Sequence, residues 1–292
     1  MKIIVHDTGA AMLDLLARPV GQRTDALREI LAPLRNPHVP LHEPEVHYGF
    51  SGFRVDRDDP RYEEALRRMR EADVWGRMRE TAAAAWERLN SAVPGVRHAD
   101  PVNVVLVLGD PDDDYLVERS AGYLGMGGIP GSIMQTMWPT ETSLAKIPYA
   151  TAHEIHHNVR YANVVWDPAT VTVGEHVVAE GLAEAFVREL GGEQAMGPWS
   201  TALDDAELES AYRKITDAID LAGMQYLTPY VIGDTIAIRA GQEPVGLPDF
   251  AGYAVGLRIV DAHLAATGLT AAESVALPVG EILANAGVSF VD

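Results

Sequence analysis

"TAHEIHHNVR", residues 151–160, is the stretch on which the reading of this chain turns. His153 and His157 stand four apart, with Glu154 directly after the first. On an α-helix, positions i and i+4 share a face one turn apart, so two imidazoles can point at one centre. Glu154 sits about 100° round the helix from His153, too far to be an equal ligand but near enough to reach a water on a metal held there. Neutral imidazole is the commonest zinc ligand, and a bound Zn²⁺ brings the pKa of its water down to about 7. Glu154 would take that proton as general base and hand it to the leaving group. The bland alternative is a polar, exposed helix turn. An H-E-x-x-H run arises by chance only roughly 0.03 times in a chain of this size and histidine content.

An open zinc site asks for a third protein ligand. Glu180 is the candidate, in "GEHVVAEGLAEAFVREL" (174–190), a helical stretch that ends at Gly191-Gly192 as a helix C-terminus should. Val177, Val178, Leu182, Ala185 and Phe186 can form its apolar stripe. Glu180 and Glu184 are themselves i and i+4. Two carboxylates on one face of a half-buried helix repel unless a cation or hydrogen-bond donors satisfy them. A zinc for Glu180 and an imidazole N–H for Glu184 would do so, because metal-bound histidines usually donate their second nitrogen to a carboxylate. Gly181 costs a helix about 1 kcal/mol and makes sense if this helix passes close to the metal helix. His156 is expected to face away from the metal, at the surface or behind a ligand. Arg160 pairs with a carboxylate near the site or forms an ordinary structural ion pair.

Composition bounds the partners. The chain has 292 residues, 47% of them hydrophobic, enough for a core of ordinary size. It contains no cysteine, which excludes disulfides, thiolate zinc sites and cysteine nucleophiles and leaves histidine and carboxylates as strong metal ligands. A formal net charge of −19, from 42 acidic and 23 basic residues, opposes nucleic acid and anionic lipid. No secretory signal or membrane span is legible, so the cytoplasm is the default compartment.

Working outward, residues 1–40 read as a short strand followed by helix, and 41–59 as a connecting loop. Residues 60–90 suggest one or two amphipathic helices. "VNVVLVLG" (102–109) is a β-branched strand closed by the acidic turn "DPDDD". "GMGGIPGSIMQTMWP" (125–139) reads as a glycine-rich turn and then a strand from about Ser132 to Trp138; helical signals dominate afterwards. The class is α+β, with a mainly helical N-terminal region at 1–95 packed on a catalytic part at 96–292. The glycine-rich turn lacks the lysine and helix of a phosphate loop, "DPDDD" lacks the spacing of a calcium loop, and no nucleophile-elbow serine appears.

The runs "ATAHEIHHNVR", "VVAEGLAEAF" and "AGYAVGLRIV" resemble the bacterial family described as predicted zinc-dependent proteases, the YjaZ-like group, and more broadly the gluzincin metallopeptidases. The resemblance covers roughly residues 100–285. It implies His153, His157 and Glu180 as zinc ligands, Glu154 as general base, and a peptide or protein substrate. It also implies a zincin-like architecture: a small mixed sheet over the metal helix, with an edge strand facing the cleft, and a mainly helical C-terminal half. The strand from about Ser132 to Trp138 occupies the edge position, where an extended peptide could pair with it. Gluzincins usually add a donor for the oxyanion beyond the third ligand. Tyr253, in "GYAVG", is the candidate by motif position, ahead of Tyr230, His176 and His263.

Two other classes compete. Glu154-x-x-His157 is also the Glu-x-x-His signature of di-iron bundles, but that site needs a second copy on another helix and none stands in a suitable segment. A non-catalytic zincin-like binding protein would keep the shape without turnover, yet would not require the general base.

Overall fold

The computed structural model describes residues 1–37 and 39–288. In chain order the elements are β1 (Ile3–Val5), α1 (Thr8–Ala17), α2 (Val20–Leu31), α3 (Pro44–Gly49), α4 (Pro60–Glu71), α5 (Val74–Ala92), β2 (Val102–Leu108), β3 (Tyr123–Ile129) and β4 (Ser132–Met137). Then follow α6 (Glu141–Asn163), α7 (Val173–Gly191), α8 (Asp205–Thr216), α9 (Asp234–Arg239), α10 (Ala251–Thr267) and α11 (Val279–Asn285). The class is α+β, mostly helical with one small mixed sheet. No helix among the described residues is long and apolar enough to cross a membrane.

Backbone contacts divide the chain into two compact units, Met1–Glu87 with His98–Asn158, and Arg88–Arg97 with Val159–Asp292. The first unit holds the four-stranded sheet, in the order β1-β2-β4-β3. β2 runs parallel to both β1 and β4, and β3 runs antiparallel to β4. A strand flanked on both sides and covered on both faces has no solvent side, which is why "VNVVLVL" is apolar almost throughout rather than alternating.

Three expectations need correction here. The strand Ser132–Met137 is not an edge: β2 and β3 occupy both its sides, and all six of its residues are buried. The glycine-rich segment at 125–128 is not a turn but the body of β3, which lies at one end of the sheet. The stretch 41–59 is not all loop, since Pro44 starts the short helix α3. The acidic turn after β2 is neutralised locally: Asp112 accepts from Arg61 Nη1 at 2.8 Å and from Arg57 Nη2 at 2.7 Å.

In the second unit, α7 and α10 meet at glycines. A Cβ on Gly181 would overlap the backbone of Gly256, and a Cβ on Gly256 would overlap the carbonyl oxygen of Val177. Gly181 is therefore explained by a close helix approach, but the neighbour is α10 and not the metal helix.

Candidate metal centre

α6 carries the histidines. Thr140 and Ser143 begin it by reciprocal capping, with Thr140 N donating to Ser143 Oγ at 2.8 Å and Ser143 N to Thr140 Oγ1 at 3.0 Å. Pro148 lies inside the helix and has no N–H to give, so the carbonyl of Leu144 loses its helical partner. Arg77 Nη1 donates to that carbonyl at 3.0 Å, which lets the helix run on to His153.

Every residue from Ala150 to Tyr161 is buried, although seven of them are polar or charged. Such a segment is stable only if each polar group finds a partner. Thr151 Oγ1 donates to Gln135 Oε1 at 2.9 Å, fastening α6 to β4. Arg160, fully buried, donates from Nε to Glu175 Oε1 at 2.7 Å and from Nη2 to Glu175 Oε2 at 2.9 Å. His156 is fully buried, so of the two places expected for it, at the surface or behind a ligand, it does not take the surface one.

His153 and His157 are 4% exposed each, with ring centroids 4.6 Å apart and nearly perpendicular. Their Nε2 atoms face each other at 2.9 Å. With Glu180 they form a group in which one ligand atom from each residue lies within 4.8 Å of the others. An ion bound tetrahedrally through bonds of about 2.0–2.1 Å separates its ligand atoms by roughly 3.3 Å. The set therefore fits a zinc ion in donor type and in spacing. From Val173 to Val187 on α7, Glu180 is the one position that is not buried. Glu180 thus keeps some access to solvent where its neighbours along the helix do not.

Glu154, 5% exposed, lies against β3. A Cβ on Gly125 would overlap Glu154 Oε1, and one on Gly127 would come within 2.8 Å of Glu154 Cβ and Oε2. Gly125 and Gly127, two apart on the strand, share a face, and only hydrogen atoms on that face leave the carboxylate its room.

Glu184 is buried and accepts from Gly197 N at 3.0 Å, Trp199 Nε1 at 2.7 Å and Ser200 Oγ. The sequence assigns this carboxylate an imidazole N–H; a backbone N–H, an indole N–H and a hydroxyl are donors to it here. Tyr253 stands in the first turn of α10, half-buried, its ring 5.8 Å from that of Trp199 and 6.0 Å from that of Phe250. The weaker candidates sit in structural settings. His176 on α7 is buried edge-on to Trp166, and Tyr230 packs near Tyr226. His263 accepts from Asn285 Nδ2 at Nδ1 and meets Ser274 Oγ at Nε2, and burial pushes its pKa down.

Sequence reasoning passed over Asn158, Glu175 and the glycine pair of β3. Each had a faint signal: an asparagine directly after the second histidine, an acidic residue in the first turn of the next helix, and glycines at i and i+2.

The sequence profile of the family described as "Predicted Zn-dependent protease (DUF2268)" matches residues 74–284. The chain is similar to the uncharacterized protein YjfC of Bacillus subtilis (strain 168), 37% identical over 191 residues, which are 65% of this chain and 63% of the relative. It is also similar to the uncharacterized protein YjaZ of the same organism, 30% identical over 127 residues, 43% of this chain and 45% of the relative. The aligned part thus spans less than two thirds of either relative's own length. No solved structure matches.

Proposed function

This chain belongs to the family of predicted Zn-dependent proteases, and on that premise we propose that it is a zinc metallopeptidase of gluzincin type. The observation that carries the reading is the convergence of His153, His157 and Glu180, two imidazole nitrogens and one carboxylate oxygen within 4.8 Å of one another. The catalytic part is assigned to residues 96–292, with a zincin-like arrangement of sheet and metal helix.

His153, His157 and Glu180 would hold the ion. Bound Zn²⁺ supplies Lewis acidity, polarising a peptide carbonyl and making water a nucleophile near neutral pH. Glu154, one residue beyond His153 and confined beneath the glycines of β3, accepts the proton of the attacking water. The same carboxylate then delivers that proton to the leaving amine nitrogen. Tyr253 is assigned to the developing oxyanion, as a phenol O–H donor. Glu184 supports the site through α7, one turn beyond Glu180. An extended peptide substrate would pair with β3, the strand at the end of the sheet beside Glu154.

The test is cleavage of a mixed peptide library by the zinc-loaded chain and by Glu154→Gln. The wild type should cleave and lose activity to a chelator, while Glu154→Gln should retain zinc and lose cleavage by about a thousandfold or more. A Glu154→Gln variant as active as the wild type would remove Glu154 from the mechanism. A binding protein would show no cleavage in either.

A further inference from the structure

β3 and β4 are joined by a tight turn, and their ladder is irregular. Met126 pairs with Met134 and Ile129 with Ser132, so β3 advances three residues where β4 advances two. That bulge around Gly127 and Gly128 takes backbone groups out of the ladder, and they need partners elsewhere. The carboxamide of Asn158, almost fully buried, supplies them. Its Nδ2 donates to the carbonyls of Gly127 at 2.9 Å, Ile129 at 3.0 Å and Ser132 at 3.2 Å. Its Oδ1 accepts from Gly131 N at 2.7 Å. Three carbonyls on one side and an N–H on the other leave a single orientation for the amide.

Asn158 directly follows His157 on α6, so this side chain fixes the bulged end of β3 to the metal helix one turn from Glu154. The glycines of β3 already lie so close to Glu154 that a methyl group would collide with it. We infer that Asn158 is a positioning residue for substrate: it holds the edge strand β3 at a fixed height over Glu154, so that a peptide backbone paired with β3 is presented to that carboxylate. The inference rests on the hydrolase reading and adds to it a residue that touches neither the ion nor the substrate. A strand held in place costs a peptide less ordering on binding than a loose one, so loosening it should act on binding more than on chemistry.

The experiment uses the zinc-loaded full chain and Asn158→Asp, which keeps the shape but places an acceptor against the three carbonyls. Amide hydrogen exchange is followed by mass spectrometry, and KM and kcat are measured on one fluorogenic peptide chosen from those the wild type cleaves. Exchange over residues 123–129 should rise about tenfold or more while 102–108 stays as in the wild type. Zinc should be retained, KM should rise about tenfold, and kcat should stay within about threefold. Unchanged exchange over 123–129, a uniform rise across the chain, or a fall in kcat at constant KM would each overturn the role. Should Asn158→Asp not fold, Asn158→Ala, which leaves space for water at the carbonyls, is read in the same way. If the wild type cleaves no peptide at all, the hydrolase reading fails, and the exchange arm alone decides whether Asn158 holds β3.

Discussion

Arg160 and Glu175 form a bidentate ion pair inside the protein, at 2.7 and 2.9 Å, three residues after His157 on α6 and five before Glu180 on α7. The same guanidinium donates from Nη1 to the carbonyls of Val275 and Leu277, each at 3.2 Å, so it ties α7 and the turn before α11 to the end of α6. The pair joins the two helices that carry the candidate ligands. Arg160→Leu should cost about 3–5 kcal/mol, because it strands a buried carboxylate. The double variant Arg160→Met with Glu175→Leu should recover most of that loss. Urea denaturation of the three proteins checks both statements.

Gly125→Ala and Gly127→Ala separate chemistry from fold. The methyl group at 125 meets the free end of the Glu154 side chain, which can swing away. That variant should fold and keep its metal while peptide cleavage falls about 10- to 100-fold, as expected for a base displaced by about an ångström. At 127 the methyl meets the carbonyl oxygen and Cβ of Glu154, which cannot move without the helix. Gly127→Ala should lower stability by about 1–3 kcal/mol as well. Thermal unfolding, zinc content and library cleavage distinguish the two.

Gly181→Ala and Gly256→Ala should both destabilise, since each puts a methyl group into the backbone of the partner helix. The net cost is about 1–3 kcal/mol or more, because the overlap with backbone outweighs the roughly 1 kcal/mol by which alanine improves helix propensity at an open site. Because α7 carries Glu180, weaker zinc binding should accompany the loss, measured by competition with a chromogenic chelator.

His47 gives the fold a pH dependence. Its ring is fully buried beside Phe53 and Tyr48, Nε2 donates to the Phe53 carbonyl at 2.9 Å, and Nδ1 has no hydrogen-bond partner among the described residues. Burial, with a smaller contribution from the nearby Arg54 charge, lowers its pKa to about 4. Above about pH 6.5 neither state holds the extra proton. As pH falls through that value the unfolded chain binds a proton that the folded chain refuses, and stability drops until about pH 4. The loss is on the order of 3 kcal/mol. Urea unfolding at pH 7 and pH 4.5 should show a smaller difference in His47→Gln, whose side chain keeps a donor but does not titrate.

Much of this was legible in order of locality. "VNVVLVL" could only be a buried strand, because a run of β-branched residues closed by glycine and aspartates leaves no helical face. The C-terminal end of α7 is legible in Gly191-Gly192, with Gly192 at φ +76°, whereas its start at Val173, capped by Thr172, lies one residue before the stretch that the sequence marks as helical. The spacing of His153 and His157 and the carboxylate pair of Glu180 with Glu184 on a half-buried helix point to three ligands, and the fold brings His153, His157 and Glu180 together. What escaped depended on partners distant in sequence. Glycine is a poor strand former, so 125–128 read as a turn; its reason for being a strand is Glu154, about thirty residues later. Strand order is set by crossovers rather than by local pattern, so the central place of Ser132–Met137 was invisible. Gly181 signalled a close neighbour without naming α10, and Arg160 signalled an ion pair without naming Glu175. His156 is expected to face away from the metal pair, which leaves the surface and a place behind a ligand equally open in the sequence; the enclosure of that whole turn removes the surface.

The central claim is that His153, His157 and Glu180 hold one zinc ion. The most direct measurement is the metal content of the purified, zinc-equilibrated and dialysed chain beside His153→Ala and Glu154→Gln. About one zinc per chain in the wild type and in Glu154→Gln, and essentially none in His153→Ala, is the expected result. A wild-type chain without metal, or zinc that persists at full stoichiometry after His153 is removed, would contradict it.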